Sequence, residues 1–147
     1  MSAPVLDKQP PPIPPSFARI DDPRLAVPAA PGILLEGPGS IDVGAPFLLS
    51  GVFAVTDSEH QRRSSTTHRD LVLSVHREPF YASLHPFRDC LVFTDDVLAV
   101  GALRAGWFRL DVWSCCRFRI EGRYYLRASL GTMMSAACVV TVGPAGG

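Results

Sequence analysis

The chain has 147 residues, and its 14 basic and 14 acidic side chains leave no formal net charge at pH 7. This balance excludes a generally basic nucleic-acid binder and gives no reason to expect binding to an acidic membrane surface. With 47% hydrophobic and 19% charged residues, the chain has enough apolar side chains for one domain with its own core.

Proline dominates the first 31 residues, which hold nine of the 14 prolines. Proline fixes φ and lacks an amide donor, so this segment is predicted to form neither a helix nor an interior strand. The run 9–15 is predicted to be extended polyproline II. We interpret residues 1–31 as an extended arm and residues 32–147 as the folded domain, with a solvated tail as the alternative for the arm. The arm residues expected to contact a partner are Pro11, Pro12, Pro14 and Pro15.

From Gly32 onward, short apolar runs are separated by turn residues, a pattern typical of an all-β sandwich. In the first half of this region, the polar stretch 56–69 is predicted to be a loop. The stretch after it alternates, with Leu71, Leu73 and Val75 on the face that is predicted to be buried. The strands predicted in this half are 33–36, 40–43, 47–55 and 71–76.

The second half contains further short strands around one less regular segment. Pro79 and Pro86 interrupt residues 78–90, which are predicted to run as irregular edge structure. In the run 107–113, the even-numbered apolar residues are predicted to share one face. No segment has ten residues of helical period, so any helix is predicted to be a short turn. The strands predicted here are 91–94, 97–100, 107–113, 123–130 and 136–142.

The run EGRYYLRASLG at residues 121–131 resembles strand F of an immunoglobulin-like domain. In that family an acidic residue and a glycine precede a tyrosine, which stands two places before a cysteine. Gly122 and Tyr124 match this pattern, and Leu126 occupies the cysteine position. Upstream, SIDVGAPFLLSG is similar to the first strands of the family, with Gly51 in place of the other cysteine, and ACVVTV is similar to the last strand.

This resemblance covers residues 33–143 and implies a fold and a class of function. The implied fold is an antiparallel immunoglobulin-like β-sandwich of about seven to nine strands, without the family's disulfide and with the Pro-rich arm in front of it. Gly122 would have a structural role, and Tyr124 would be the tyrosine corner, with its hydroxyl bonded to the backbone before strand F. The family implies adhesion, partner binding or scaffolding, and the fold carries no chemistry by itself.

Two groups of residues are candidates for contact with a partner. Arg123 and Arg127 share strand parity with Tyr125, which predicts an Arg–Tyr surface suited to a carboxylate or a protein. An ordinary solvent-facing side of the sheet is the alternative. The second group consists of aromatic residues that either anchor an interface or fold back to cover the sheet. These are Phe80, Tyr81, Phe87 and Trp107.

No complete motif for metal binding or catalysis occurs in the sequence. The histidines form no HxxxH pair and the cysteines no CxxC motif, so no metal site is predicted. The adjacent Cys115 and Cys116 are either a strained redox pair or ordinary thiols packed at the core. Without a Gly-x-Ser-x-Gly elbow, a Walker A motif or a Rossmann fingerprint, no catalytic residue and no cofactor are predicted. The histidines are His60, His68, His76 and His85.

The sequence therefore predicts a non-enzymatic β-sandwich module that packs into a protein assembly, with its arm on a neighbouring subunit. Its expected partners are protein subunits, identical or different, and neither nucleic acid nor membrane. The alternative is a small-ligand or carbohydrate-binding module that uses Trp107 and Tyr81 as stacking platforms, and the third reading is a metal-dependent or redox enzyme. The absence of a secretory signal and of a long apolar stretch predicts a cytoplasmic location with reduced cysteines.

Overall fold

The computed structural model describes residues 25–64, 66–78, 81–94, 96–116 and 119–144. The side chain of Tyr81 lies outside this description, although its backbone is included. Among the described residues, no helix is long and apolar enough to cross a membrane. The predicted contact residues that lie outside the described ranges are Pro11, Pro12, Pro14, Pro15 and Phe80.

Short strands make up most of the described chain. They are β1 (Gly32–Glu36), β2 (Ser40–Asp42), β3 (Leu48–Thr56), β4 (Val72–Arg77), β5 (Tyr81–Pro86), β6 (Leu91–Thr94), β7 (Leu98–Val100), β8 (Leu103–Asp111), β9 (Gly122–Leu130), β10 (Met133–Met134) and β11 (Cys138–Gly143). The helices are α1 (Asp57–Arg62) and α2 (Thr67–Asp70), and single 3-10 turns span Phe87–Asp89 and Val112–Ser114.

The strands form two sheets. Sheet A has the order β1-β3-β8-β6, and β7 pairs with the other end of β8. Sheet B has the order β2-β11-β9-β4-β5, and β10 pairs with β9. Within the described residues β2 runs parallel to β11, and the other pairs are antiparallel. The prediction of an all-β, mostly antiparallel fold is confirmed at this level.

The core lies between the sheets and takes alternate residues from their strands. Leu49 and Phe108 enter it from sheet A, and Leu71, Leu73 and Val75 enter it from the side of sheet B. Full burial of an aliphatic or phenyl side chain contributes roughly 1.5–3 kcal/mol, so a one-residue slip of any central strand would be costly. The predicted inward face of Leu71, Leu73 and Val75 is confirmed.

Residues 57–62 form helix α1 and residues 67–70 form helix α2, so the loop prediction for 56–69 is wrong in both places. The Thr56 side chain accepts a hydrogen bond from the Glu59 backbone N–H at 3.1 Å and caps the helix. Asp57 and Glu59 also place negative charge in the first turn, where the helix dipole is positive. The Thr-x-x-Glu spacing is a known helix-start signal, and the absence of apolar periodicity after it conceals it.

The segment 78–90 is more regular than its prolines predict. Strand β5 pairs with β4 over its full length, from Tyr81 opposite Arg77 to Pro86 opposite Val72. It is an edge strand, as predicted, and Pro86 is tolerated because it stands at the last position of that edge. Among the described residues of this segment, a 3-10 turn at Phe87–Asp89 follows Pro86.

Strand β8 begins and ends earlier than the predicted strand 107–113. It pairs with β3 from Leu103, opposite Thr56, to Asp111, opposite Leu48. The Asp111 side chain then accepts a hydrogen bond from the Trp113 backbone N–H at 3.0 Å, which starts the 3-10 turn. The chain therefore leaves the sheet at Val112, although the side chain of that residue remains in the core.

Candidate interaction surfaces

The outer face of sheet A carries an apolar cluster that is separate from the core. Val52, Ala105 and Trp107, which we call the Trp107 cluster, point away from the sandwich interior because their neighbours along the strands point into it. Val52 and Ala105 are nevertheless fully buried, and Trp107 is only 8% exposed. Leu25 and Val27 pack against the cluster, so the last residues of the predicted arm cover this face.

A hydrogen bond fixes the position of the covering segment. The indole Nε1–H of Trp107 donates to the backbone carbonyl of Leu25 at 3.0 Å. A buried indole N–H needs an acceptor, and here the arm provides it. The contact thus combines the burial of apolar side chains with one hydrogen bond. The hydrogen bond determines which backbone carbonyl, that of Leu25, lies at the indole of Trp107.

Apolar side chains continue on both sides of the Trp107 cluster. Leu34 of β1 stands opposite Val52 and is 42% exposed. Leu98 of β7 stands opposite Ala105 and is 48% exposed. Together these residues extend the apolar surface from one edge of sheet A to the other, which is a pattern that marks contact surfaces.

The outer face of sheet B carries the predicted Arg–Tyr group. Arg123 and Arg127 are exposed and Tyr125 is half-buried between them. The Tyr125 ring centroid lies 5.8 Å from that of His76, and the Tyr125 hydroxyl donates to the Glu78 carboxylate at 3.0 Å. A hydrogen bond with Tyr125, together with the nearby charge of Glu78, raises the pKa of Arg123. The ring is therefore held in place, with a guanidinium on each side.

Apolar residues complete this second surface, which we call the sheet B face. Val139 stands opposite Tyr125 and is 46% exposed. Leu84 belongs to the same face through its pairing with Ser74 and is 70% exposed. Exposed aliphatic groups beside Tyr and Arg have the composition of a protein interface. Sequence reasoning missed Leu84 because it treated 78–90 as irregular.

The structure does not bring all the predicted contact residues together. Arg123, Tyr125 and Arg127 share the sheet B face, whereas Trp107 lies on the opposite outer side of the sandwich. Phe87 belongs to neither surface, because it is 2% exposed and its ring centroid lies 5.0 Å from that of Phe108 in the core. Its prediction as an interface anchor is therefore corrected to a core role.

The two residues given a structural role are both engaged. Tyr124 is 1% exposed, and its hydroxyl donates to the backbone carbonyl of Ile120. This bond ties the start of β9 to the segment just before it. Gly122 has φ of +149°, and a Cβ there would lie 3.0 Å from the Arg77 side chain. A larger residue would therefore strain the start of β9.

A cavity of about 360 Å³ opens beside α1 and the β9–β10 turn. Its charged walls are Glu59, Arg62 and Arg63. Glu59 accepts hydrogen bonds from Arg62 and Arg63, each at 2.6 Å, and Arg63 also reaches Asp70 at 3.1 Å. The hydrogen bond from Arg62, supported by that from Arg63, lowers the pKa of Glu59 against the effect of burial. The charges in this cavity thus neutralise one another within the chain.

The histidines are dispersed and take separate partners. His60 Nδ1 lies 2.7 Å from the Thr67 hydroxyl, and the His68 ring packs against Phe53. His85 Nε2 lies 2.6 Å from the Ser83 hydroxyl, and burial lowers the pKa of His85. Across the described ranges, no three His, Cys, Asp or Glu side chains are grouped so that they could hold a metal ion.

Cys115 and Cys116 lie between β8 and β9 and belong to neither strand. They follow the 3-10 turn at Val112–Ser114, and both of their backbone N–H groups donate to the Val112 carbonyl at 2.9 Å. Cys116 is buried, and Cys115 is partly buried against the core. A hydrogen bond with Cys90 lowers the pKa of the Cys115 thiol.

The chain matches no protein-family model, and no curated protein resembles it at a significant level. Its function is therefore argued from the geometry described above.

Proposed function

We propose that the chain is a non-enzymatic immunoglobulin-like module that packs into a protein assembly in the cytoplasm, with its N-terminal arm contacting a neighbouring subunit. The strand order supports the immunoglobulin-like assignment. If β1, β3, β8 and β6 are strands A, B, E and D, sheet A has the family order A-B-E-D, and sheet B contains C-F-G as β4, β9 and β11. The Tyr124 hydroxyl bond supports it independently.

The observation that carries the assembly role is the docking of Leu25 and Val27 on the Trp107 cluster. Val52, Ala105 and Trp107 form a receptor on the outside of a sheet, where side chains are usually solvated. The receptor accepts apolar side chains and one carbonyl from the arm. An equivalent segment from a second copy would make the same contacts, because exchanged elements reproduce the contacts they make within one chain.

The connection between the docked segment and β1 suits such an exchange. Pro28 and Pro31 restrict the backbone between Val27 and Gly32, so the link behaves as a stiff hinge. The part of the arm that precedes Leu25 is proposed to contact the neighbouring subunit.

The sheet B face is the proposed second contact of the module. Leu84 and Val139 provide exposed apolar area, and Tyr125 with Arg123 and Arg127 provides polar anchors. Because the two surfaces lie on opposite outer sides of the sandwich, each module can contact two neighbours. The proposed partners are protein subunits, identical or different.

Single-residue variants of the arm test this function. We expect Val27→Glu to place a charge against the Trp107 cluster. Native mass spectrometry should then find an oligomer for the unaltered chain and a monomer for the variant. Ala26→Glu is the matched control, since Ala26 is exposed and the charge change is identical. Deletion of residues 1–31 should act like Val27→Glu. The proposal is contradicted if the deletion and Val27→Glu both keep the subunit number of the unaltered chain.

The alternative functions have less support from the geometry. A carbohydrate-binding surface on Trp107 would require an open indole face, but this ring is 8% exposed and its N–H is bonded to Leu25. The cavity beside α1 is large enough for a small ligand, although its arginines already pair with Glu59 and Asp70. A metal-dependent enzyme would need ligands that the described histidines do not bring together.

A further inference from the structure

Three cysteines meet at one end of the sandwich. Cys90 directly precedes β6, and Cys115 and Cys116 follow the end of β8. All three belong to the core or pack against it. Twenty-five positions separate Cys90 from Cys115 in the sequence, so only the fold brings them together.

Backbone contacts hold the two segments in register beside the thiols. Leu91, the residue after Cys90, pairs with Asp111 across β6 and β8. The Leu91 backbone N–H also donates to the Ser114 hydroxyl at 2.8 Å, and Ser114 directly precedes Cys115. The two cysteines are therefore each one residue away from a direct hydrogen bond that joins their segments.

The thiols of Cys90 and Cys115 interact with each other. Each thiol shifts the pKa of the other, so their side chains lie close together. The Cys90 Sγ lies 3.3 Å from the Pro86 carbonyl. The Cys115 Sγ lies 3.8 Å from the Asp111 carbonyl and 3.7 Å from the Ser114 hydroxyl. Cys115 thus has polar neighbours on several sides and is partly exposed, whereas Cys90 is 8% exposed.

The surroundings of the three thiols shift their pKa values in different directions. The hydrogen bond with Cys90 lowers the pKa of Cys115, and burial opposes it. The same hydrogen bond, together with burial, raises the pKa of Cys90. Burial raises the pKa of Cys116 to about 11. Because the thiolate is the reactive form of cysteine, Cys115 is the most nucleophilic of the three.

We propose that Cys115 and Cys90 form an oxidation-sensitive pair that a hydroperoxide converts into an intramolecular disulfide. The Cys115 thiolate attacks the peroxide oxygen, the O–O bond breaks, and Cys115 becomes a sulfenic acid while hydroxide leaves and takes up a proton. The Cys90 sulfur then attacks the Cys115 sulfur, the S–O bond breaks, and water leaves with the Cys90 proton. With hydrogen peroxide, two thiols give one disulfide and two waters.

The disulfide would join Cys90 at the start of β6 to the end of β8. It closes a loop of about 25 residues that contains β6, β7 and β8, and closing such a loop restricts the unfolded chain. The vicinal alternative, Cys115 with Cys116, would instead close a strained eight-membered ring. The geometry therefore selects Cys90 as the partner of Cys115. This inference is independent of the proposed assembly role.

Peroxide treatment of the intact chain tests the pair. After excess hydrogen peroxide is removed, denaturation with iodoacetamide should label two cysteines per chain instead of four, as read by intact mass. Tryptic mapping should find residues 89–104 joined to residues 110–117. The melting temperature should rise by roughly 5–10 °C and return after treatment with a dithiol.

Serine variants identify the partners, with Cys138→Ser as the matched control on β11. We expect the disulfide in Cys116→Ser and Cys138→Ser and no disulfide in Cys115→Ser or Cys90→Ser. If Cys90→Ser does not fold, the comparison of Cys115→Ser with Cys116→Ser still decides the question, because Cys115 is partly exposed. Four labelled cysteines after peroxide, a disulfide that persists in Cys115→Ser, a bond between chains, or sulfinic acid without a disulfide would overturn the proposal.

Discussion

Tyr124 takes part both in the packing of the core and in a hydrogen bond to the backbone. Its ring lies in the core, with its centroid 5.8 Å from that of Phe47 and 6.2 Å from that of Trp113. Its hydroxyl reaches the Ile120 carbonyl at the turn before β9. One side chain thus fixes both the packing of sheet B and the path of the chain that enters it.

Tyr124→Phe should remove this hydroxyl bond and keep the ring in place. We expect the free energy of unfolding to fall by about 1 kcal/mol, because the buried hydroxyl bond is lost without creating a cavity. Urea denaturation followed by circular dichroism measures the change. Tyr125→Phe is the control, since the Tyr125 hydroxyl bonds to Glu78 at the surface, and we expect a change below about 0.5 kcal/mol. Equal losses in both variants would contradict a special role for Tyr124.

Gly51 shows what residue-level reasoning could and could not predict. The proposed resemblance to immunoglobulin-like domains places Gly51 at a position where those domains have a cysteine. It does not indicate what fills the space. A Cβ at Gly51 would lie 2.2 Å from the Phe108 ring, and this ring packs against Phe87. An aromatic pair brought together from two distant segments therefore occupies the position, and such a pairing cannot be read from local sequence.

At the scale of elements, the alternation of apolar and polar residues predicted the sheets well. Elements that depend on capping hydrogen bonds or on a partner strand were predicted less well. The inward face of 71–75 follows from burial alone, and the structure confirms it. Helix α1 depends instead on the Thr56 cap and on the hydrogen bonds of Glu59 to its arginine partners. These residues are polar, so they produce no helical period of apolar residues in the sequence. Strand β5 depends on its partner β4, and this long-range pairing includes Pro86 at its last position.

Acid should weaken the α1 region through Glu59. The pKa of Glu59 in the folded chain is lowered from its ordinary value of 4.5, chiefly by the hydrogen bond from Arg62. A lowered pKa adds stability above the unfolded value, and this stability is lost as the pH falls through the folded value. We therefore expect the free energy of unfolding to drop more steeply between about pH 6 and pH 3 in the unaltered chain than in Glu59→Gln.

Urea denaturation at several pH values in that range measures the two slopes. Arg62→Gln provides a graded control, because it removes the strongest partner and leaves Arg63 in place. Its slope should fall between those of the unaltered chain and Glu59→Gln. The prediction is contradicted if the free energy of unfolding falls with pH at the same rate in the unaltered chain and in Glu59→Gln.

At the scale of the whole molecule, the contacts on the outer faces of the sandwich could not be predicted from the sequence. Val52 and Trp107 fit the strand pattern as outward residues, yet they are buried. The reason is the arm segment at Leu25, which lies 82 positions away from Trp107 in the chain. The Cys90–Cys115 contact likewise depends on the register of β6 with β8. Local periodicity cannot supply contacts of this range.

Dilution should reveal whether the Trp107 cluster is covered by the arm of its own chain or by that of a neighbour. The Trp107 signal is obtained as the difference between the intact chain and Trp107→Phe, which retains only Trp113 in the core. If neighbouring arms cover the cluster, dilution below the association range releases them by mass action. Acrylamide quenching of Trp107 should then rise several-fold, while quenching in Trp107→Phe stays constant. Quenching of Trp107 that does not depend on concentration would make the arm an internal strap, because a segment of the same chain covers its site at every dilution.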